Sequence, residues 1–313
     1  MNIQQLEYII AVDNFRHFVK ASEACCVTQP TLSMMIQKME DELEVRIFDR
    51  SKYPVAPTPI GTQIIAQARI ALNHFHQIEE IVACEQQVVK GSFKLGIIPT
   101  IASFLVPSIL QKQQKKYADI NLTLKEYTTA DMITAILNGA IDGGILTGPL
   151  NHADLKEFPL YYERLYAYVS PQDVLYKRKT VNLNTINIQN IWLLENVHCL
   201  SRQIERLCRQ KQKNGNNLSN IKYQSGNIDT LIHIIDSNLG FTIIPEMHAM
   251  SLTEEQQDNL RPFKNRTAVR EVVLICHVDY IRQTMLDAIV DIMKSAVPKS
   301  MLDQKLKKYV VEL

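Results

Sequence analysis

The 313-residue chain lacks any run of about 18 or more apolar residues, so a membrane-spanning helix is not expected. Its first residues, Met1-Asn2-Ile3-Gln4-Gln5-Leu6-Glu7, have neither a basic segment nor an apolar one, and this excludes a secretory signal. The expected compartment is the cytoplasm, where the six cysteines should stay reduced by default. No C-x-x-C pair is present, which argues against a zinc ribbon or a thioredoxin-type centre. His74 and His76, two apart on a predicted helix, point to different faces, so no metal is expected there. Charge of one sign is missing too: 34 Lys+Arg stand against 33 Asp+Glu, and the bulk balance points neither to nucleic acid nor to a membrane surface. Hydrophobic residues make up 46% and charged residues 21%, enough for a sizeable core and incompatible with global disorder.

What is present falls into three segments. Residues 1–58 read as short helices followed by a wing. Thr28 is a good N-cap, Pro30 suits a first helical turn, and Leu32, Ile36, Met39 and Leu43 form one apolar stripe. A short helix, a tight turn and a second well-capped helix make a helix-turn-helix. Three prolines between Asp49 and Gly61 predict an extended wing. A long helix over 59–89 follows. Ile64, Ala68, Ala71, Phe75, Ile78 and Val82 alternate there in steps of four and three, the seam of a dimeric coiled coil or of a helix packed on its own domain. Over 90–313 strand-like runs (93–98, 122–126, 143–147, 167–170, 191–195, 240–244 and 272–277) alternate with helical ones (about 102–116, 130–138, 200–213, 228–237 and 280–294), which predicts α/β lobes with mostly parallel sheets around a cleft. Ligands of such folds sit beyond strand ends near helix N-termini, where Pro99-Thr100 and Thr128-Thr129 fall.

The amino-terminal segment resembles the LysR-type transcriptional regulators. The resemblance rests on Leu6-Glu7-Tyr8, His17-Phe18, Ala21, Thr28-Gln29-Pro30-Thr31-Leu32-Ser33, Ile36, Met39-Glu40, Leu43, Phe48, Arg50, Thr58 and Gly61, and on Gly240-Phe241-Thr242-Ile243-Ile244-Pro245 near the carboxy end. Glu44 stands where that family usually has Gly. The resemblance implies a winged helix-turn-helix (1–58), a linker and dimerisation helix (59–89) and a two-lobed regulatory domain of periplasmic-binding-protein type (90–313). It also implies a homodimer or homotetramer that binds promoter DNA and recruits RNA polymerase.

Base readers lie near the start of the second helix of a helix-turn-helix, here Thr28, Gln29, Pro30, Thr31 and Ser33. Lys38, Arg50 and Lys52, with Arg16, Lys20 and Arg46, supply a local basic footprint. It has to act against residues 1–90 as a whole, which hold 8 Lys+Arg and 11 Asp+Glu.

Asn196-Val197-His198-Cys199-Leu200 together with Cys208 is similar to the two-cysteine centre of the family's hydrogen-peroxide sensors. That likeness implies a peroxidatic Cys199, a resolving Cys208, and peroxide-pocket roles for Thr100, Thr129, Asp142, His198 and Arg266. The residues support it: His198, Arg202, Arg206 and Arg209 and a helix start all favour a thiolate. A sensor of this kind needs a cellular thiol reductant and no cofactor. Two other readings stand beside it: a regulator answering to a small ligand in the cleft, and a thiol peroxidase built on Cys199 and His198. The helix-turn-helix has no role in the enzyme reading.

Overall fold

In the computed structural model the described residues are 1–85, 89–182, 190–195, 199–208, 226–264, 268–280 and 282–311. For Asn73, 76–85, 111–116, Cys199 and 205–208 the description covers the backbone alone. The chain divides into two compact units, Met1–Val88 with Thr134–Ile141, and Val89–Ile133 with Asp142–Leu313.

The first unit begins with α1 (Ile3–Phe15), whose N-cap Asn2 and third residue Gln5 form a reciprocal capping box. Next come α2 (Phe18–Ala24) and α3 (Gln29–Glu42), the latter capped by Thr28 with Pro30 in its first turn, as predicted. Ile9, Val12, Ala21, Leu32, Ile36 and Met39 are fully buried and hold the three helices together. The exit from α3 is a Schellman turn: Val45 N–H donates to Glu40 O at 3.1 Å and Glu44 N–H to Asp41 O at 3.3 Å. Glu44 occupies its left-handed position at φ 55°, where a side chain is strained and glycine is not. The wing is the antiparallel pair β1 (Phe48–Asp49) and β2 (Ala56–Pro57). The long helix α4 (Pro59–Glu85) follows at once. Gly61 lets it approach the wing, since a Cβ there would lie 2.0 Å from Ile47 O. The first turns of α4 depart from the predicted seam. Ile65, Ala68 and Leu72 are buried, and Ile64, Ile65 and Ala68 pack on the helix-turn-helix core. Ala71 and Phe75 lie on the exposed side. Ile64 and Ala68 are thus used within their own domain.

The second unit carries β3 (Gly91–Ile97), α5 (Pro99–Lys116), β4 (Ile120–Glu126), the start of α6 (Thr129–Leu137), whose residues from Thr134 are grouped with the first unit, and β5 (Gly143–Gly148). A long strand, β6 (Leu155–Val169), leads into α7 (Cys199–Cys208), α8 (Ile228–Ser237), β7 (Phe241–Pro245), α9 (Glu246–Ala249), α10 (Glu254–Gln257) and β8 (Leu260–Pro262). The strand β9 (Val269–His277), α11 (Gln283–Ser295) and short 3₁₀ turns at Lys299–Leu302 and Gln304–Tyr309 complete the chain. Seven strands join in the order β4-β3-β5-β9-β6-β7, with β8 also on β6. Two lobes result: β3, β4 and β5 build one, and the second half of β6 with β7 and β8 builds the other.

The prediction of mostly parallel pairing holds for β3–β4 and β3–β5 only. The pairs β5–β9, β6–β9, β6–β7 and β6–β8 are antiparallel. The cause is topological. β6 leaves the first lobe and β9 returns to it, so the two connecting strands run in opposite directions beside each other. Among the described residues, 191–195, predicted as a strand, form no regular strand and carry isolated bridge positions at Ile191, which pairs with Phe241, and at Leu194.

Candidate functional site

Two places bring the predicted residues together. The first is the exposed start of α3. Thr28 Oγ1 accepts from Thr31 N–H at 3.4 Å and lies 2.8 Å from Thr31 Oγ1, so local bonds fix this helix start. Gln29, Pro30 and Thr31 are exposed there, on the side away from buried Leu32, Ile36 and Met39. Ser33 is half-buried and takes a contact from Arg50 Nη1 at 3.4 Å. Arg50 also stacks on Phe18, 5.3 Å from its centroid, and reaches Glu40 Oε2 at 3.3 Å. Lys38 and Lys52 are exposed, and Lys52 lies 3.5 Å from Asp49. Glu40, one of the acids that made this segment look unfavourable for DNA, is 2% exposed and turned inward.

The second place is a cleft of about 220 Å³ between the two lobes. Pro99, Thr100, Phe104 and Glu126 line it from one lobe, and Asn227, Ile228 and His248 from the other. It lies beyond the carboxyl end of β3, where α5 begins, and against the start of α8, whose N-cap Asn227 accepts from Asp229 N–H at 2.8 Å. Thr100 is buried at its wall. His248 is also buried, packs edge-on against Phe104 at 4.8 Å between ring centroids, and stands 3.0 Å from Asp229 Oδ1. Burial pulls the His248 imidazole below its usual pKa; Asp229 opposes that shift and Arg270 adds to it.

Arg270 is the residue that the sequence reading missed. It lies in β9, paired in register with Glu163 of β6, and both side chains are sealed from solvent. Its Nη1 donates to Thr100 Oγ1 at 3.3 Å and its Nη2 to Thr100 O at 3.1 Å, while its Nε pairs with Glu163. Glu163 in turn accepts from Met247 N–H at 3.2 Å. Burial raises the Glu163 pKa against the pull of Arg270. One ion pair thus ties the first turn of α5 to α9 across the two connecting strands. The signal was available: an arginine at the head of the apolar run Val272–Cys276, in a strand that is buried, stays there only with a partner. Because Thr100 Oγ1 accepts from a cation, its own O–H is left as a donor toward the cleft.

The other predicted cleft residues divide. Thr129 is buried at the start of α6, but it is not among the described residues lining the cleft. Asp142 stands elsewhere. It precedes β5 at the opposite end of the strands, and its Oδ2 accepts from Lys94 N–H at 2.6 Å. Its carboxyl is raised by burial, with Lys94 N–H and the Arg282 charge opposing. The parallel register of β3 and β5 keeps that end away from Thr100, so Asp142 closes the sheet end instead of facing the cleft. His198 and Arg266 lie outside the described residues. Cys199 and Cys208 are the first and last residues of α7, described by their backbone only.

Comparison with known proteins covers both parts of the chain. Residues 3–62 match the model of bacterial regulatory helix-turn-helix proteins of the lysR family, and residues 86–298 match the LysR substrate binding domain. A hydrogen peroxide-inducible genes activator of Haemophilus influenzae is 29% identical over 80% of this chain and 82% of its own length. The regulator EstR of Acinetobacter baylyi is 29% identical over 94% of this chain and 96% of its own. Full-length OxyR C199D from Pseudomonas aeruginosa superposes with a TM-score of 0.79 at 26% identity, covering 94% of this chain and 98% of that one. Reduced OxyR from Porphyromonas gingivalis gives 0.61 at 28% identity over 68% of this chain and 97% of that one. With both of its domain models matched along nearly the whole sequence, the chain belongs to the LysR family of transcriptional regulators.

Proposed function

We propose that this protein is a peroxide-responsive transcriptional regulator, not an enzyme, that binds promoter DNA through α3 and the wing and reads hydrogen peroxide through Cys199. The observation that carries the reading is the position of the two cysteines at opposite ends of one helix, α7. Nine helical steps separate them by ~13–14 Å, whereas a disulfide needs Cα atoms ~4.4–6.8 Å apart. A bond between them therefore requires α7 to unwind, which couples oxidation to a change of shape. The similarity to peroxide-inducible gene activators and to OxyR structures supports the same assignment.

In the chemical sequence the Cys199 thiolate attacks one peroxide oxygen. The S–O bond forms, the O–O bond breaks, and the leaving hydroxide takes a proton to become water. Cys208 then attacks the sulfenic sulfur, expels a second water and closes the disulfide. A cellular dithiol or glutathione system returns both thiols. Thr100, held as a donor by Arg270, and Thr129 and His198 supply hydrogen bonds to the peroxide, and Arg266 supports the thiolate. The domain limits 1–58, 59–89 and 90–313, a tetramer joined through α4, recruitment of RNA polymerase and a cytoplasmic location complete the reading.

Brief peroxide exposure followed by peptide mass spectrometry tests it. A Cys199–Cys208 peptide is expected, absent in Cys199→Ser, with a trapped sulfenic acid in Cys208→Ser. Cys199 persisting as a free thiol at peroxide levels that switch transcription overturns the sensor. The cleft volume favours one second reading, because 220 Å³ exceeds what a peroxide molecule fills. In that case a small organic ligand closing the two lobes is the signal, and transcription responds to it with both thiols intact.

A further inference from the structure

We infer that Arg46 and Arg50 form a two-pronged clamp for the DNA phosphate backbone, and that Glu40 is the positioning residue that holds it. The inference rests on the DNA-binding reading above, singles out Arg46 and Arg50 from its basic footprint as one unit, and adds the device that aims both cations. Glu40 lies in the last turn of α3 with its side chain 1% exposed. Its Oε1 accepts from Ile47 N–H at 2.7 Å and Phe48 N–H at 3.2 Å, so it anchors the strand that opens the wing. Its Oε2 meets Arg46 Nη1 at 3.2 Å and Arg50 Nη2 at 3.3 Å. Two guanidiniums from either side of β1 therefore share one carboxylate oxygen.

Both cations remain open to solvent, Arg46 at 62% and Arg50 at 39% of the side chain. A guanidinium carries five N–H donors in a planar fork. In the described contacts Arg46 uses Nη1 alone, toward Glu40 and Gln37 Oε1 at 2.7 Å, and Arg50 uses one donor on each Nη. Outward-facing donors are left on each. Fixing a long side chain before binding removes the entropy that a free arginine loses on docking. Planar, delocalised and weakly hydrated, guanidinium suits a phosphate better than an ammonium does. A carboxylate sealed beneath two cations leaves the cluster with a net positive charge. Among the remaining acids of this stretch, Asp41 accepts from Gln37 and Glu42 from the chain amino group. The clamp stands beside Ser33 and the exposed start of α3, on the side expected to meet a duplex.

The test uses the full-length protein and a labelled duplex of random sequence, because phosphate contacts are independent of sequence. Fluorescence anisotropy across a salt series gives the slope of log affinity against log salt. Arg46→Ala and Arg50→Ala should each make that slope shallower by about 1. Glu40→Gln should lower affinity several-fold in the otherwise native protein and lower it no further in an Arg46→Ala/Arg50→Ala background. An Arg46→Ala protein with native slope and affinity overturns the clamp. An equal loss from Glu40→Gln in both backgrounds reduces Glu40 to a folding role and overturns its positioning. If circular dichroism shows Glu40→Gln to be unfolded, the slope of Arg46→Ala, which leaves both backbone amides on Glu40, still decides the clamp. Failure of the native protein to bind any duplex is a separate outcome: it removes the DNA-binding reading and the clamp with it.

Discussion

Arg270 grips Thr100 twice, at the hydroxyl (3.3 Å) and at the carbonyl (3.1 Å), from a strand whose next residue is Glu271 and whose following run, Val272 to Cys276, is apolar. The grip places a cation behind the cleft wall and points the Thr100 hydroxyl proton away from it. Glu163 neutralises that cation, so the pair stands or falls together. Replacing Arg270 by Met leaves an uncompensated buried carboxylate and should cost about 3–5 kcal/mol. Adding Glu163→Leu should recover most of that loss. In the single variant Glu163 is an isolated buried acid, so its folded pKa lies above its unfolded one. The penalty is then full at neutral pH and fades as pH falls. Urea unfolding of both variants across the acid range checks this; equal stabilities for the single and double variants would contradict it.

Glu44 offers a stabilising change. It holds the left-handed position of the Schellman turn at φ 55°. A side chain in that conformation costs ~1–2 kcal/mol, part of which glycine returns as extra freedom in the unfolded chain. Glu44→Gly should therefore raise stability by about 1 kcal/mol, seen as a higher midpoint in chemical denaturation. No gain would mean that this turn already relaxes its strain elsewhere.

How far the sequence disclosed these features depends on the length scale of the forces involved. The helix-turn-helix was legible because its cap, its proline and its apolar stripe are local, and α3 and α8 appear within a residue or two of their predicted spans. β6 was largely hidden. Only its last residues, from Ala167, read as a strand, because Lys156, Glu157, Glu163 and Arg164 interrupt the apolar pattern. Two of these charges are satisfied by groups far along the chain, Glu163 by Arg270 and Arg164 by Glu246, while Glu157 accepts from Leu150 and Asn151 N–H just before the strand. The far partners, on β9 and α9, cannot be seen in a local window. The same reason hid Arg270; family likeness assigns Asp142 to the cleft, and the group it accepts from is Lys94 N–H in the middle of β3.

His248 should give the protein a pH-dependent stability. Its folded pKa is lowered, chiefly by burial, from an ordinary value of 6.5. Above that value both states hold it neutral. Below it the unfolded chain takes up the proton first, so stability falls as pH drops through 6.5 toward the folded pKa. Thermal unfolding of the native protein and of His248→Gln over this range should diverge, with the variant flatter. Superimposable profiles would assign the pH response to another group.

Along α4, Ile65, Ala68 and Leu72 face their own domain, and Ala71 and Phe75 lie on the exposed side, the one proposed to meet a partner helix. Phe75 is 41% exposed. A charge there should weaken self-association without unfolding the helix-turn-helix, whose core lies on the other side of α4. Sedimentation of Phe75→Glu should show a shift toward monomer, and gel shifts a loss of paired-site binding. An unchanged oligomer would remove this face of α4 from the interface.

The carboxy-terminal turns are fastened to α7. Gln203, fully buried in the middle of that helix, donates through Nε2 to Val311 O at 3.3 Å. Val311 N–H binds Val269 O at 2.9 Å, and Leu306 packs on Tyr162 and Val269. An α7 that unwinds to join Cys199 to Cys208 carries Gln203 away from Val311. The amide of Val311 should then lose protection, while Leu306 keeps its apolar seat on Tyr162. Hydrogen exchange read by mass spectrometry on peptides covering 303–313, before and after peroxide, is expected to show faster exchange confined to the last few residues. Gln203→Ala should produce the same increase without peroxide. Exchange at Val311 that is indifferent both to peroxide and to Gln203→Ala would mean that the strand bridge to Val269 alone holds the tail, and that α7 moves without disturbing it.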